Sequence, residues 1–140
     1  DTDELLGSVY DEVAAGLNAE VEAAISATEG NDIERSRAGI RAVLGFSSAD
    51  PRRGRVLFTE ARANPVLAAR REIAQELLRQ MVLSERAQAH PGEKPVATAV
   101  AAAMYTGAMA ELAQQWLAGN LGDDLDAVVD HAVRLVLLNA

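Results

Sequence analysis

Arginine is the residue type in this sequence best suited to binding a charged partner, and it is concentrated in one segment. The stretch ADPRRGRVLFTEARANPVLAARRE, from Ala49 to Glu72, holds six arginines in a 140-residue chain whose formal net charge is −8. Lys and Arg side chains that neutralise phosphates supply most of the non-specific affinity of proteins for DNA. The first question is therefore whether this arginine-rich segment binds nucleic acid.

The distribution of charge along the chain argues against a nucleic-acid site. Residues 1–32 carry nine acidic and no basic side chains, residues 33–94 carry seven and twelve, and residues 95–140 carry five and one. The acidic flanks would repel a polyanion, and glutamates alternate with the arginines at the spacing of helical ion pairs. We therefore expect the arginines to pair within the molecule, with Glu60 bonding Arg70 or Arg71. A DNA-binding patch is the alternative.

This sequence lacks the usual motifs of catalytic and metal-binding sites. It contains no Gly-rich phosphate loop, no Gly-x-Ser-x-Gly elbow and no His-Glu-x-x-His pair. Cysteine is absent, and the two histidines, His90 and His131, stand far apart. Adjacent acids such as Asp123 and Asp124 are explained by helix starts or surface charge. We expect a protein that is not an enzyme, with no metal site and no cofactor.

The elements that would position these residues are all predicted to be helices, because no stretch alternates as a strand does. The first helix is predicted from Thr2 to Thr28, and Asn31 is expected to cap the second. Asp50-Pro51 and Asn64-Pro65 each combine a capping side chain with a proline at the first helical position. They predict a short helix between them and a long helix after Pro65.

The last two of the six predicted helices run from Val96 to Ala118 and from Asp124 to Asn139. The first of them has small side chains that permit close approach of another helix, and the second is apolar around most of its circumference. We therefore expect a homodimer in which these helices form a four-helix bundle. The predicted interface residues are Ala101, Ala108, Leu112, Val128, Val129, Ala132, Leu135 and Val136. The alternative is a central last helix wrapped by the other five.

Three sequence segments, taken in order along the chain, resemble parts of the C-terminal regulatory domain of the tetracycline-repressor (TetR) family. DTDELLGSVYDEV is similar to the start of the long helix that follows the family's helix-turn-helix. The arginine-rich segment is similar to the short sixth helix and the entry to the seventh. MYTGAMAELAQQWLAGNLGDDLDAVVDHAVRLVLL is similar to the eighth and ninth helices. The resemblance covers essentially the whole chain and implies one all-α domain, residues 1–140, of six helices.

The resemblance implies the effector-binding and dimerisation domain of a ligand-responsive transcriptional regulator, a repressor. In the family an N-terminal domain reads DNA, and we expect that domain to lie outside these residues. Operator DNA would then be a partner only through the N-terminal domain. We expect a cytoplasmic protein that does not span a membrane. The alternative is a stand-alone helical dimerisation or scaffold domain without a small-molecule ligand.

The scarce large side chains predict where an effector would bind. Four of the five aromatic residues fall on helices that surround the ligand cavity in the family, and methionine side chains adapt to varied shapes. A small, mainly hydrophobic effector is expected, with Asn18 and Thr106 among the polar contacts. The candidate ligand-binding residues are Tyr10, Val13, Leu17, Phe58, Arg62, Met81, Tyr105, Met109 and Trp116. Each of them is also explained by ordinary core packing.

Overall fold

A computed structural model describes residues 1–137, and all regular structure in this part of the chain is helical. The six helices are α1 (Thr2–Ala27), α2 (Asp32–Ala49), α3 (residues 51–63), α4 (Pro65–Ala89), α5 (Pro95–Leu117) and α6 (Leu125–Leu137). The predicted all-α class is confirmed. The predicted helix end at Asn139 lies outside the described residues.

The helix starts are defined by the capping side chains that the sequence indicates. Asn31 Oδ1 accepts a hydrogen bond from the Glu34 N–H at 3.0 Å, at the start of α2. Asn64 Oδ1 accepts one from the Val66 N–H at 2.9 Å, at the start of α4. Asp50 caps α3 in the same way at 3.1 Å. Each cap satisfies a backbone N–H that has no partner inside its helix.

Helix α3 contains a π-helical turn that no feature of the sequence indicates. It is α-helical over Pro51–Arg55 and Ala61–Ala63, and the wider π turn spans Val56–Glu60. Such turns are frequent at functional sites because they alter which side chains face a neighbour. Here the turn contacts α1 and α5, and it carries Leu57 and Phe58 toward them.

Helix α2 is the central helix of the fold. It packs against α1, α3, α5 and α6, and Ile40, Leu44 and Ser47 have no solvent-exposed surface. The last helix, α6, packs on α2 with one side, where Val129 and Val133 are buried in the same cluster as Ile40. The alternative of a central last helix wrapped by the other five therefore does not describe this fold.

Ion pairs join α2 to two of its neighbours. Arg37 pairs with Asp130 and Arg41 with Asp126, which links α2 to α6 in an antiparallel register. Arg35 Nη2 lies 3.1 Å from Glu85 Oε2 on α4. These pairs are partly exposed, so each contributes at most about 1 kcal/mol to stability. Their effect is to favour one register of the helices over others.

The arginine-rich segment also pairs within the molecule. The Arg53 guanidinium lies 4.1 Å from the centroid of the Phe46 ring, a cation–π contact. Arg62 Nη2 lies 3.1 Å from Glu111 Oε2, which links α3 to α5. Several arginines of this segment are thus engaged in contacts within the molecule, which leaves fewer of them free to bind DNA.

The predicted bond between Glu60 and Arg70 is not the one that forms. Arg70 pairs with Asp11 on α1, because α4 packs along α1 and brings these two side chains together. Arg71, the other predicted partner of Glu60, makes no ion pair with any residue of 1–137. Successive residues of a helix point in different directions. Arg71 therefore points away from Arg70 and lines a cavity inside the helical bundle.

Two glycines give a matched test of the packing of α3. A Cβ atom at Gly54 would lie 2.8 Å from Leu117 Cδ2 and 3.0 Å from the Ser47 carbonyl oxygen, whereas one at Gly45 would meet nothing within 4 Å. Both glycines lie in helices, so alanine brings either site a propensity gain of about 0.5–1 kcal/mol. We expect Gly45→Ala to raise the free energy of unfolding by about that amount. We expect Gly54→Ala to be about 1–3 kcal/mol less stable than Gly45→Ala, because it overpacks the contact.

Urea denaturation of the two variants and the wild type measures these differences. Equal stability of Gly45→Ala and Gly54→Ala would contradict the close approach of α3 to α2 and α5.

Candidate ligand-binding site

A cavity of about 950 Å³ lies inside the helical bundle and opens to solvent on one side. It is lined mainly by apolar side chains of α1, α2, α4 and α5, with Leu57 and Phe58 of α3 and Leu135 and Val136 of α6 also at its walls. Small-molecule sites in proteins have volumes of roughly 300–1,000 Å³. The cavity therefore has the size and character of a ligand site.

One face of α1 forms a continuous wall of the cavity. Its lining residues recur at the three- and four-residue spacing of a single helix face: Tyr10, Ala14, Leu17, Asn18, Val21 and Ile25. Tyr10, at one end of this wall, is 3% exposed, and Val21, further along it, is 7% exposed, so both side chains are held by the surrounding core. A bound molecule would touch α1 over most of its length.

Helix α4 forms the opposite wall and makes the cavity long. Its lining residues begin at Arg71 and Gln75, continue through Leu78 and Met81, and end at Ala89. The eighteen residue-to-residue steps from Arg71 to Ala89 correspond to about 27 Å at a rise of 1.5 Å each. The cavity is therefore an elongated cleft along α4.

Small side chains on α5 leave space for the cavity. Ala97, Ala101 and Ala108 line it, and they are three of the residues whose size predicts close approach of another helix. The buried side of α5 is different: Ala102 and Ala113 are fully enclosed in the protein core. The small side chains of α5 thus leave the cleft open on one side of the helix and allow close packing on another.

Two tyrosine hydroxyls border the cavity. Burial raises the pKa of Tyr105 to about 12, and burial also raises the pKa of Tyr10 to about 12 despite the nearby positive charge of Arg71. Both phenols therefore keep their protons at neutral pH and can donate hydrogen bonds. Gly39 lies beside Tyr105, since a Cβ at residue 39 would be 4.0 Å from the Tyr105 hydroxyl, an ordinary contact distance.

The loop between α4 and α5 borders one end of the cavity and is held by a polar cluster. Arg86 Nε donates to Glu93 Oε1 at 2.8 Å, and the Thr98 hydroxyl donates to the same oxygen at 2.9 Å. These bonds, with that of Arg86 the stronger, lower the pKa of Glu93 to about 2. The end of the cavity at His90 is therefore anchored across the loop.

Six of the nine predicted ligand-binding residues line the cavity: Tyr10, Leu17, Phe58, Met81, Tyr105 and Met109. Three lie elsewhere. Val13 packs in the cluster around Phe46, on the flank of the cavity face of α1. Arg62 turns outward to Glu111. Trp116 packs against the core in the last turn of α5, beyond Ala110, where the cavity lining on that helix ends.

The predicted dimer-interface residues divide between the cavity, the core and the surface, and Leu135 and Val136 of α6 remain 78% and 38% exposed. Ala101, Ala108, Leu135 and Val136 line the cavity, whereas Leu112, Val128 and Ala132 pack against the core. Val129 is 1% exposed, because α6 turns it onto α2. Val129 therefore offers no surface to a second copy, and a charge placed there would disrupt the core of the protomer.

The apolar surface that α5 does expose lies on its outer side. Val96, Val100 and Met104 are 69%, 52% and 70% exposed, and the small residues Ala103 and Gly107 lie beside them. We call these five residues the outer strip. Three of them, Val96, Val100 and Met104, also line the open side of the cavity. Contiguous exposed apolar surface of this kind marks interaction sites.

Among the described helices, α5 alone combines the length and the apolar composition of a membrane span. Its mean hydropathy reaches 1.3, and 28% of that window is buried. This is weak evidence for a membrane segment, because core helices of soluble proteins have the same properties. Helix α5 also contributes Met109 and Ala113 to the core shared with α2 and α6.

Apart from Met81 on α4, no residue of α2 or α4 was predicted to line the cavity. Arg71, Gln75 and Leu78 recur at helical spacing on α4, and that pattern was a usable signal. This spacing does not by itself indicate a cavity, because polar residues on a partly apolar helix face are usually exposed to solvent. On α2, Ser36 and Gly39 line the cavity, and small residues carry no signal of their own.

Comparison with known proteins does not assign this chain to a family. No protein-family model matches it, and no curated protein sequence matches it significantly. The cavity and the outer strip are therefore the features of this chain that bear on its function.

Proposed function

We propose that this chain is the effector-binding and dimerisation domain of a ligand-responsive transcriptional repressor, similar to the regulatory domains of the TetR family, and that it acts in the cytoplasm. The observation that carries the proposal is the elongated apolar cavity of about 950 Å³. Operator DNA is a partner only through an N-terminal domain outside these residues.

The lining of the cavity supports a small, mainly hydrophobic effector. Leu17, Leu78, Met81 and Met104 provide apolar contact, and the methionines adapt to ligands of different shape. Tyr105 supplies a hydroxyl that can orient the ligand. A few polar groups within an apolar enclosure are the usual composition of a ligand site.

The regulatory step follows from the position of α1. In the family that this sequence resembles, this helix connects the ligand cavity to the DNA-binding domain, and here it lines the cavity from Tyr10 to Ile25. An effector acts by its differential affinity for two arrangements of the protomers. A shift of α1 would change the spacing of two recognition helices, which must match half-sites about 34 Å apart. The dimer needed for this step forms through the outer strip of α5 together with the exposed Leu135 and Val136 of α6.

The second candidate function is a dimerisation or scaffold domain without a small-molecule ligand. The outer strip favours it as well, because an exposed apolar surface needs a partner whether or not the cavity is used. Ligand binding distinguishes the two candidates.

The first test of the proposal is a thermal-shift screen of apolar and aromatic compounds. A ligand at 100 times its Kd adds about 2.7 kcal/mol to the stability of the folded state, so the melting temperature of the wild type should rise. Ala101→Phe, which fills the cavity, should abolish the shift for the same compound. Trp116→Phe, outside the cavity, should retain it. A broad library that leaves the wild type unchanged would favour the scaffold function.

The second test concerns the dimer. Ala103 lies in the outer strip, is exposed and does not line the cavity, so Ala103→Glu places a charge in the proposed interface without disturbing the protomer. We expect equilibrium sedimentation at micromolar concentration to give a dimer for the wild type and a monomer for Ala103→Glu. Ala19→Glu makes the same change on the exposed side of α1 and should stay dimeric. A monomeric wild type would contradict the dimerisation role.

The third test concerns DNA. Because Arg62 and Arg70 pair with acidic side chains, these 140 residues should give no mobility shift of a random duplex at low salt, where non-specific binding is strongest. Arg52 and Arg55 are the most exposed candidates for phosphate contact. Salt-sensitive binding that is lost on changing both to glutamine would show that the arginine-rich segment is a DNA site.

A further inference from the structure

Most charged side chains that line the cavity are paired within the protein, and among residues 1–137 Arg71 and Asp32 are the exceptions. Asp32 is exposed to solvent in the first turn of α2, whereas Arg71 is half-buried. Arg35 pairs with Glu85, which also lines the cavity, and Arg86 pairs with Glu93 in the adjoining loop. Arg71 forms no ion pair with any residue between 1 and 137. An arginine inside an apolar cleft, without a carboxylate beside it, is the feature that the proposed function leaves unexplained.

We infer that the ligand of this cavity is an elongated monocarboxylic acid, whose carboxylate binds Arg71 and whose apolar body extends along α4. This inference rests on the proposed function, since it names the chemical class of the effector. Arg71 is half-buried, and a partly desolvated cation without a counter-ion loses solvation that a bound anion can replace.

The neighbours of Arg71 are suited to a carboxylate. The charge of Arg71 acts on Tyr10, whose protonated hydroxyl borders the cavity, and Gln75 lies one helical turn further along the same wall. A guanidinium binds a carboxylate through two parallel hydrogen bonds, and a phenol or an amide can donate another. One unpaired positive charge balances a single negative charge. Asp11, also close to Tyr10, is already paired with Arg70.

The shape of the cavity indicates the form of the apolar body of the ligand. Arg71 is the first residue of α4 at the cavity wall, and the lining continues for about 27 Å of helix beyond it. Leu78, Met81 and Val82 follow Arg71 on α4, and Met104 faces them from α5. An acid group at one end of a long apolar cleft matches a molecule with one polar end and an extended hydrocarbon body.

The experiment compares decanoate with 1-decanol, which has the same chain without the charge, by isothermal titration calorimetry below the concentration at which either aggregates. The wild type should bind decanoate at least about tenfold more tightly, because hydrogen bonds to charged groups are the stronger ones. Arg71→Gln should weaken decanoate binding by about ten- to a hundredfold and leave decanol within about threefold. Arg71→Lys, which keeps the charge but loses the two-point contact, should fall between.

Arg55→Gln is the matched control, because Arg55 is exposed, lies in the same arginine-rich segment and does not line the cavity. It should leave both affinities unchanged. Equal affinity of the wild type for decanoate and decanol, failure to bind either, or undiminished decanoate binding by folded Arg71→Gln would each overturn the inference. The library screen tests the proposed function separately, since a ligand that binds the wild type and fails to bind Ala101→Phe would support the cavity even if decanoate and 1-decanol bound equally.

Discussion

The burial of α2 against four other helices is the constraint on which the rest of the structure depends. Ile40 and Leu44 have no exposed surface, and protein cores are packed closely enough that α2 cannot slide without opening voids. The half of α2 that contains them fixes α1, α5 and α6 around it. The lining of the cavity on α2 lies mainly in the other half, between Asp32 and Gly39, with Val43 beyond it. One helix therefore closes the core at one end and leaves the ligand cleft open at the other.

The cavity persists because the residues that border it are either too small to fill it or held back by other contacts. Gly39, Ala97 and Ala101 leave space, while Arg35 is held to Glu85. An apolar space of this kind lowers stability, because its walls lack packing partners. A ligand that fills it restores those contacts, which couples binding to the rigidity of α1 and α4. That coupling is the physical basis of the proposed regulation.

Positive charge in this acidic chain is used mainly to orient helices. Arg37 and Arg41 align α6 on α2, and Arg70 joins α4 to α1. Exposed pairs of this kind add little to stability, so their value lies in selecting one register. Arg71 departs from this pattern, because its side chain faces the cavity, where no acidic residue of the described chain pairs with it.

The positions of the helices were determined by the sequence alone, because capping is a local interaction. Asn31, Asp50 and Asn64 bond backbone groups two or three residues away, so their effect could be recognised without any knowledge of the fold. The all-α class followed from the same local signals and from apolar periodicity. Six of the nine candidate ligand residues were also found, since scarce aromatic and methionine side chains concentrate in apolar interiors.

The surroundings of each helix face were decided only by the tertiary structure. The apolar pattern of α6 predicted a partner for Val129, but that partner proved to be α2 of the same chain. Trp116 could not be placed from sequence, because the end of the cavity on α5 depends on where α4 crosses it. Adjacent arginines received opposite roles, Arg70 at the surface and Arg71 at the cavity, through contacts with residues about sixty positions earlier in the chain. Local interactions determine where a helix begins, whereas long-range packing determines which of its faces becomes a site.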